Sequence, residues 1–133
     1  MAKDAGIKPR AVVVINPGNP TGQVMSSKCI QEIIKVCHEH NMIILADEVY
    51  QENIYKEGAS FTSVRKALAN MPAPYCNEVG LVSMNSISKG LLGECGLRGG
   101  YFETHNISQE ANDLYYRLKS TDHCSNTVGQ IGV

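Results

Sequence analysis

The sequence has no apolar run long enough to cross a bilayer. AVVVI and MIILA are its longest, far short of the roughly 20 residues a spanning helix needs. The opening MAKDAGIKPR has no apolar core of the kind a secretory signal carries, so a cytoplasmic or mitochondrial location is expected. Charge of one sign is not in excess either. Twelve Lys and Arg stand against thirteen Asp and Glu, scattered along the chain for a net charge of −1. This gives no electrostatic footprint for nucleic acid or for an anionic membrane, and neither is expected as a partner. The five cysteines, Cys29, Cys37, Cys76, Cys95 and Cys124, are odd in number and contain no C-x-x-C pair. A zinc ribbon, a thioredoxin-type site and a disulfide framework are thus disfavoured, and reduced thiols are expected. His38 and His40 form an H-x-H pair with no further spaced ligands. It reads as the cationic end of a helix rather than a metal site, and no metal is expected. A G-x-x-x-x-G-K-[ST] phosphate loop is also absent, which excludes a nucleotide triphosphatase site of that type.

What is present fits a globular chain: 43% of residues are hydrophobic and 19% charged, with no low-complexity tract. Ala11 to Ile15 is a continuous β-branched run between Pro9 and a turn-rich stretch, and reads as a buried strand of a parallel sheet. Ser26 or Ser27 can cap a following helix whose Ile30, Ile33, Ile34 and Cys37 recur at i, i+3, i+4 and i+7. Asn41 is a plausible left-handed stop. Met42 to Ala46 predicts a second buried strand, so this part of the chain is a βαβ unit. Gln51 to Ser60 predicts a loop and Thr62 to Asn70 a short helix ended by Pro72 and Pro74. Val79 to Met84 predicts a third strand, Gly99 to Glu103 a short fourth, and Ser108 caps a helix to about Lys119. The fold class expected is α/β: part of a mostly parallel sheet flanked by about three helices.

Polar residues gather immediately after each predicted strand. The first strand is followed by Asn16-Pro17-Gly18-Asn19-Pro20-Thr21-Gly22, the second by Asp47-Glu48-Val49-Tyr50, and the third by Ser86-Ile87-Ser88-Lys89. In open α/β sheets ligands bind at the carboxyl ends of the strands, so the three clusters describe one composite site. Each has a plainer account by itself: a turn, a strand-end cap, a solvated lysine. Together the plainer account needs three coincidences on one edge.

NPGNPTG, ADEVY, SxSKG and GxRGGY, in this order and at these intervals, resemble the class I/II pyridoxal-phosphate-dependent aminotransferases. The resemblance covers almost the whole chain. The segment SKGLLGECGLRGGY, with a Gly-Glu-Cys-Gly insert that lengthens the Lys-to-Arg interval by one residue, together with INPGNPTGQV and CSNxxGQ, is similar to the alanine aminotransferase branch. The resemblance implies the large domain of the aspartate-aminotransferase-like fold (fold type I) and the cofactor pyridoxal 5'-phosphate. The substrates it implies are amino acids and 2-oxo acids, here L-alanine with 2-oxoglutarate, giving pyruvate and L-glutamate. The alternative readings are another class I/II enzyme, such as a different aminotransferase or an aminocyclopropane-carboxylate synthase, and a truncated non-catalytic chain.

The resemblance also implies roles. Lys89 matches the lysine that bonds covalently to the cofactor aldehyde and then shuttles a proton, the catalytic residue. Asp47 matches the carboxylate that pairs with the pyridine nitrogen and keeps it protonated. Tyr50 and Asn19 match the donors to the phenolic oxygen, and Ser86 and Arg98 match phosphate ligands. A guanidinium suits a phosphate because its planar fork makes two charge-assisted bonds at once. Ser88 is a further hydroxyl, and Gly99-Gly100 allow close backbone approach. Glu94 and Cys95 mark the branch and carry no evident chemistry.

Other components of such a site are not in the sequence. By the resemblance, a glycine-rich phosphate segment and an aromatic ring over the cofactor precede this stretch. A substrate-binding arginine follows it in a small domain, and a partner subunit of a homodimer completes the site. Residues 1–133 are therefore expected to be part of a large domain, and to be inactive in isolation.

Overall fold

A computed structural model of the chain describes residues 5–122 and 124–133; residues 1–4 of the MAKDAGIKPR opening lie outside them. The elements are β1 (Ala11–Ile15), α1 (Ser27–Glu39), β2 (Ile43–Asp47), α2 (Val64–Ala69), α3 (Tyr75–Glu78), β3 (Leu81–Ser86), β4 (Gly100–His105), α4 (Gln109–Ser120) and α5 (Thr127–Gly132), with a 3₁₀ turn at Cys95–Leu97 before β4. They build one four-stranded sheet in the order β1-β2-β3-β4. The first three strands are parallel and β4 runs antiparallel to β3, so the expected α/β class with a mostly parallel sheet is what the chain adopts.

Local chemistry accounts for the boundaries. Ser26, not Ser27, caps α1: its Oγ accepts from the Cys29 amide at 3.2 Å, satisfying one of the free donors of the first turn. The α1 stripe buries Ile30, Ile34 and Cys37. Asn41 stops the helix at φ 51°, a conformation its short polar side chain tolerates. In α2 the cap is Ser63, with its Oγ 3.1 Å from the Lys66 amide. The Pro72 and Pro74 pair does more than end this helix, because Pro74 sits at the N-cap of α3. Proline is tolerated where a helix starts, since no amide hydrogen is needed there. The helices exceed the three expected because α3 and α5, at four and six residues, are too short to show a 3.6-residue period.

The core lies between the sheet and the helices α1, α2 and α3. It consists of Val14, Ile30, Ile34, Cys37, Ile44, Ala46, Val64, Ala67, Leu68, Met71, Val79 and Leu81. Along β2 the core residues are Ile44 and Ala46, and along β1 Val12 and Val14 turn the same way. The alternate residues face away: Val13 is 61% exposed and Ile15 39%. The reading of β1 as a buried strand thus holds for one face and is corrected for the other. Its continuous apolar run is suited to cover on both faces, and the described residues cover one. Ile44 has no exposed surface. Ile44→Ala is expected to lower unfolding free energy by about 2–5 kcal/mol, the cost of the lost contacts plus the cavity, read from the midpoint of urea-induced unfolding.

Candidate active site

Sheet topology alone collects the candidate residues. Because β1, β2 and β3 are parallel and in register, their carboxyl ends fall on one edge: Ile15 stands opposite Asp47, and Asp47 opposite Met84. Strand β4 is antiparallel and pairs Gly100 with Ser86, so it starts at that same edge. Asn19, Asp47, Tyr50, Ser86, Lys89 and Arg98 therefore all sit at or just beyond one edge of the sheet.

Three of them meet directly. The Asn19 amide Nδ2 donates to the Tyr50 hydroxyl oxygen at 3.1 Å, which leaves the phenol's own hydrogen free for another acceptor. The Lys89 Nζ lies 5.9 Å from the centre of the Tyr50 ring, within the range where a cation is drawn to an aromatic face. Lys89 is exposed, and a Cβ added to the Gly90 that follows would come within 3.9 Å of Glu52 and of the Val49 carbonyl. The lysine loop after β3 thus leans on the segment after β2. Beside Tyr50, a cavity of about 270 Å³ is lined by Pro17, Gly18, Asn19, Tyr50, Asn53 and Tyr55 among others.

Asp47 ends β2, half-buried, with Oδ1 accepting from the Val49 amide at 3.4 Å. Two neighbours that the sequence places in these clusters without a role of their own hold this corner. Asn16 has no exposed surface. Its amide donates to the Asp47 carbonyl at 3.0 Å and its Oδ1 accepts from the Met25 amide at 2.9 Å. It thereby closes the loop that presents Asn19 and pins it to the tip of β2. Glu48 is 4% exposed; its Oε1 accepts from the Val64 amide at 2.7 Å and its Oε2 from the Ser83 hydroxyl at 2.9 Å. Among the described residues no cation pairs with it. Burial pushes its carboxyl above the ordinary value of 4.5, against the lowering effect of those two hydrogen bonds.

Ser86 and Arg98 stand one step away from this group. The Ser86 hydroxyl donates to the Gly99 carbonyl at 3.1 Å and accepts from the Ser88 amide at 3.1 Å, so it joins the lysine and arginine segments but its one hydrogen is engaged. Arg98 is exposed, with Nη1 donating to the Cys95 carbonyl at 3.1 Å. No hydrogen bond or ion pair among the described residues links its guanidinium to Lys89 or Asp47. Its backbone is left-handed at φ 53°, costing roughly 1–2 kcal/mol for a residue with a Cβ. Cys95, which carried no evident chemistry in the sequence, sends its thiol to the Ser88 carbonyl at 3.1 Å. The pair Gly99-Gly100 answers to the chain itself: a Cβ on Gly99 would stand 2.6 Å from the Gly129 carbonyl oxygen, and one on Gly100 2.9 Å from that of Asn85. The groups present, an amine, a carboxylate, an amide–phenol pair and a guanidinium on one edge, suit a small anionic aromatic aldehyde. Among the described residues no cluster of three or more His, Cys, Asp or Glu is placed to hold a metal ion.

Residues 1–130 match the family described as aminotransferase class I and II, and the chain belongs to that family. It is 47% identical to the protein named "Probable alanine aminotransferase, mitochondrial" of Dictyostelium discoideum, over 99% of this chain and 25% of that protein. It is 46% identical to glutamate–glyoxylate aminotransferase 1 of Arabidopsis thaliana, over 98% of this chain and 27% of that protein. Among solved structures, an aminotransferase from Escherichia coli superposes with a TM-score of 0.75 at 30% identity, over 98% of this chain and 31% of the other. The chain spans about a quarter of the length of the curated relatives it matches.

The buried Glu48 makes stability depend on pH. Since its folded-state carboxyl is held above the ordinary 4.5, the folded protein binds more protons than the unfolded one above that value. Stability therefore falls as pH rises from about 4.5 through the raised value, and is level beyond it. Glu48→Gln removes this fall. Its melting temperature is expected to gain on the unsubstituted protein as pH rises from about 4 to neutral, as thermal unfolding followed by circular dichroism would show.

Proposed function

We propose that this chain supplies the lysine-bearing section of a fold-type-I, pyridoxal-phosphate-dependent aminotransferase that exchanges an amino group between L-alanine and 2-oxoglutarate. The observation that carries the reading is the convergence of Lys89, Tyr50 and Asn19 within direct reach, beside Asp47 on the same sheet edge. Family membership and the alanine aminotransferase relative support it. The reading extends to residues 1–133 as part of a large domain, with a preceding portion, a small C-terminal domain and a partner subunit of a homodimer. Its support is that the relatives are about four times as long. A mitochondrial or cytoplasmic location goes with it; one relative is named mitochondrial, and among the described residues no helix is long and apolar enough to cross a membrane.

Pyridoxal phosphate, when bound, supplies an aldehyde that captures amines and a pyridinium ring that draws electrons from the carbon bearing the amine. The Lys89 amine is the group that would hold the aldehyde covalently and, once free, carry a proton at Nζ. The Asp47 carboxylate would keep the ring nitrogen protonated by charge pairing. Tyr50 keeps its hydroxyl hydrogen available because Asn19 donates to its oxygen, so the two can offer donors to a phenolate oxygen. Arg98 has guanidinium donors left beyond the one used on Cys95 and is the proposed phosphate ligand. Ser86 joins it only by turning its hydroxyl away from Gly99. The Arabidopsis relative favours a second reading of the substrates, in which glyoxylate is the amino acceptor.

Borohydride reduction of the full-length protein with pyridoxal phosphate, then peptide mass mapping, is expected to place the cofactor on Lys89, and Lys89→Ala in that protein to leave no labelled peptide and no turnover. Labelling of a different lysine would remove the assignment. Turnover of the full-length protein with alanine and 2-oxoglutarate against glutamate and glyoxylate decides between the substrate readings. Arg98→Gly separates function from fold: relief of the left-handed strain, roughly 1–2 kcal/mol, is largely offset by the glycine's extra backbone entropy, roughly 0.5–1 kcal/mol. The unfolding midpoint should stay close to that of the unsubstituted protein, while cofactor retention on gel filtration should fall at least about tenfold with the loss of a charge-assisted bond.

A further inference from the structure

We propose that Glu48 is a positioning residue: its buried carboxyl ties the tip of β2 to α2 and β3 on the helix-covered face, and so holds the Asp47 carboxylate on the opposite face and Tyr50 within reach of Lys89. The inference rests on the proposed function for its catalytic meaning, and on this chain's geometry for its physical content.

Successive side chains along a strand point to opposite faces. In β2, Ile44 and Ala46 are in the core under the helices, so Glu48 is in phase with them and Asp47 is out of phase. The strand pattern reaches that far, because the Glu48 amide still donates to the Met84 carbonyl at 3.1 Å. On the helix face Glu48 spends both carboxyl oxygens on separate elements. One takes the Val64 amide, the first residue of α2, and the other takes Ser83, a β3 residue. The tip of β2 is thereby fixed from below at two points, one residue from Asp47 and two from Tyr50.

A lesser arrangement would satisfy stability alone. An apolar residue in phase with Ile44 and Ala46 would extend the core with no desolvation cost, and the Val64 amide could face water as first-turn amides commonly do. The structure instead buries a carboxyl with no cation beside it among the described residues, and burial raises its proton affinity. Such a group is retained at a cost to stability, and what it gives in return is direction: a two-point bond fixes rotation of the strand tip, which an apolar contact does not. The neutral acid also serves that purpose, since a protonated Oε2 can donate to Ser83 while Oε1 accepts from Val64.

The test compares Glu48→Ala, Glu48→Gln and Ser83→Ala with Leu68→Ala, a core truncation in α2 that costs stability away from the tip. The first readout is amide hydrogen exchange at Val49 and Tyr50, the Val49 amide being bonded to Asp47 Oδ1. Glu48→Ala is expected to speed exchange there about tenfold, the factor for losing one buried hydrogen bond. Ser83→Ala should do so to a lesser degree, Glu48→Gln not at all, and Leu68→Ala no more than at other core amides. The second readout is pyridoxal phosphate affinity, expected to weaken in the same order. Should Glu48→Ala fail to fold, Ser83→Ala against Leu68→Ala decides by the same two measures. Equal exchange at Val49 in Glu48→Ala and Leu68→Ala, or loss of protection in Glu48→Gln, would overturn the inference. If the unsubstituted full-length protein captures no cofactor while the exchange pattern holds, the proposed function fails and the strut stands.

Discussion

The whole candidate site depends on hydrogen-bond register in the sheet. Three parallel strands, paired so that Ile15, Asp47 and Met84 lie abreast, must release their loops at the same edge. Loops from three distant stretches of sequence then have no choice but to meet. The fourth strand adds an arginine to that edge only because it runs the other way. Pairing of Ser86 with Gly100 turns the chain back at the tip of β3, so Arg98 stays beside the lysine loop instead of being carried to the far end. A register slip of one residue would turn every side chain to the other face, exchanging the orientations of Asp47 and Glu48.

That exchange shows how closely fold and chemistry are coupled at β2. Two adjacent carboxylates share the tip of one strand and have opposite fates. Asp47, half-buried, leans on the Val49 amide, while Glu48 is drawn into the helix layer and shares its oxygens between α2 and β3. Nothing in their chemistry separates Asp from Glu so sharply; the covered face of the sheet does. On the neighbouring strand Asn16 acts in the same way, holding Met25 with its side chain and Asp47 with its backbone, so the Asn19 loop and the Asp47 tip are joined through one residue.

Sequence reasoning reached those features that repeat or punctuate. The α1 stripe and its Asn41 stop, the β-branched runs and the Gly-rich turn before β4 carry local signals strong enough to read one at a time. The direction of β4 was beyond it, since that depends on the 3₁₀ turn at Cys95–Leu97 and the left-handed Arg98, neither of which has a periodic signature. Glu48 was hidden for a different reason. MIILA is apolar at every position, so its alternation is invisible, and the phase that sends residue 48 inward appears only once Ile44 and Ala46 are seen against the helices. Asn16 was legible as a member of a turn motif, but its burial was not, because its partner Met25 lies beyond the motif.

The Arg98 turn is where the structure accepts strain, and its neighbours explain how the strain is held. Gly129 of α5 approaches so closely that a Cβ there would stand 2.7 Å from the Leu97 carbonyl oxygen, and Asn126 donates to the Arg98 carbonyl at 3.3 Å while capping α5 with its Oδ1. One asparagine therefore starts a helix and grips the strained turn at once. Backbone meets backbone between Gly99 and Gly129 without side chains between them, which leaves the turn little room to relax toward a right-handed conformation. Residues far apart in sequence, in GxRGGY and CSNxxGQ, thus form one mechanical unit whose effect is to hold an arginine in a conformation that glycine would adopt more cheaply. The guanidinium that this turn presents stands at the edge where the amine and carboxylate also gather.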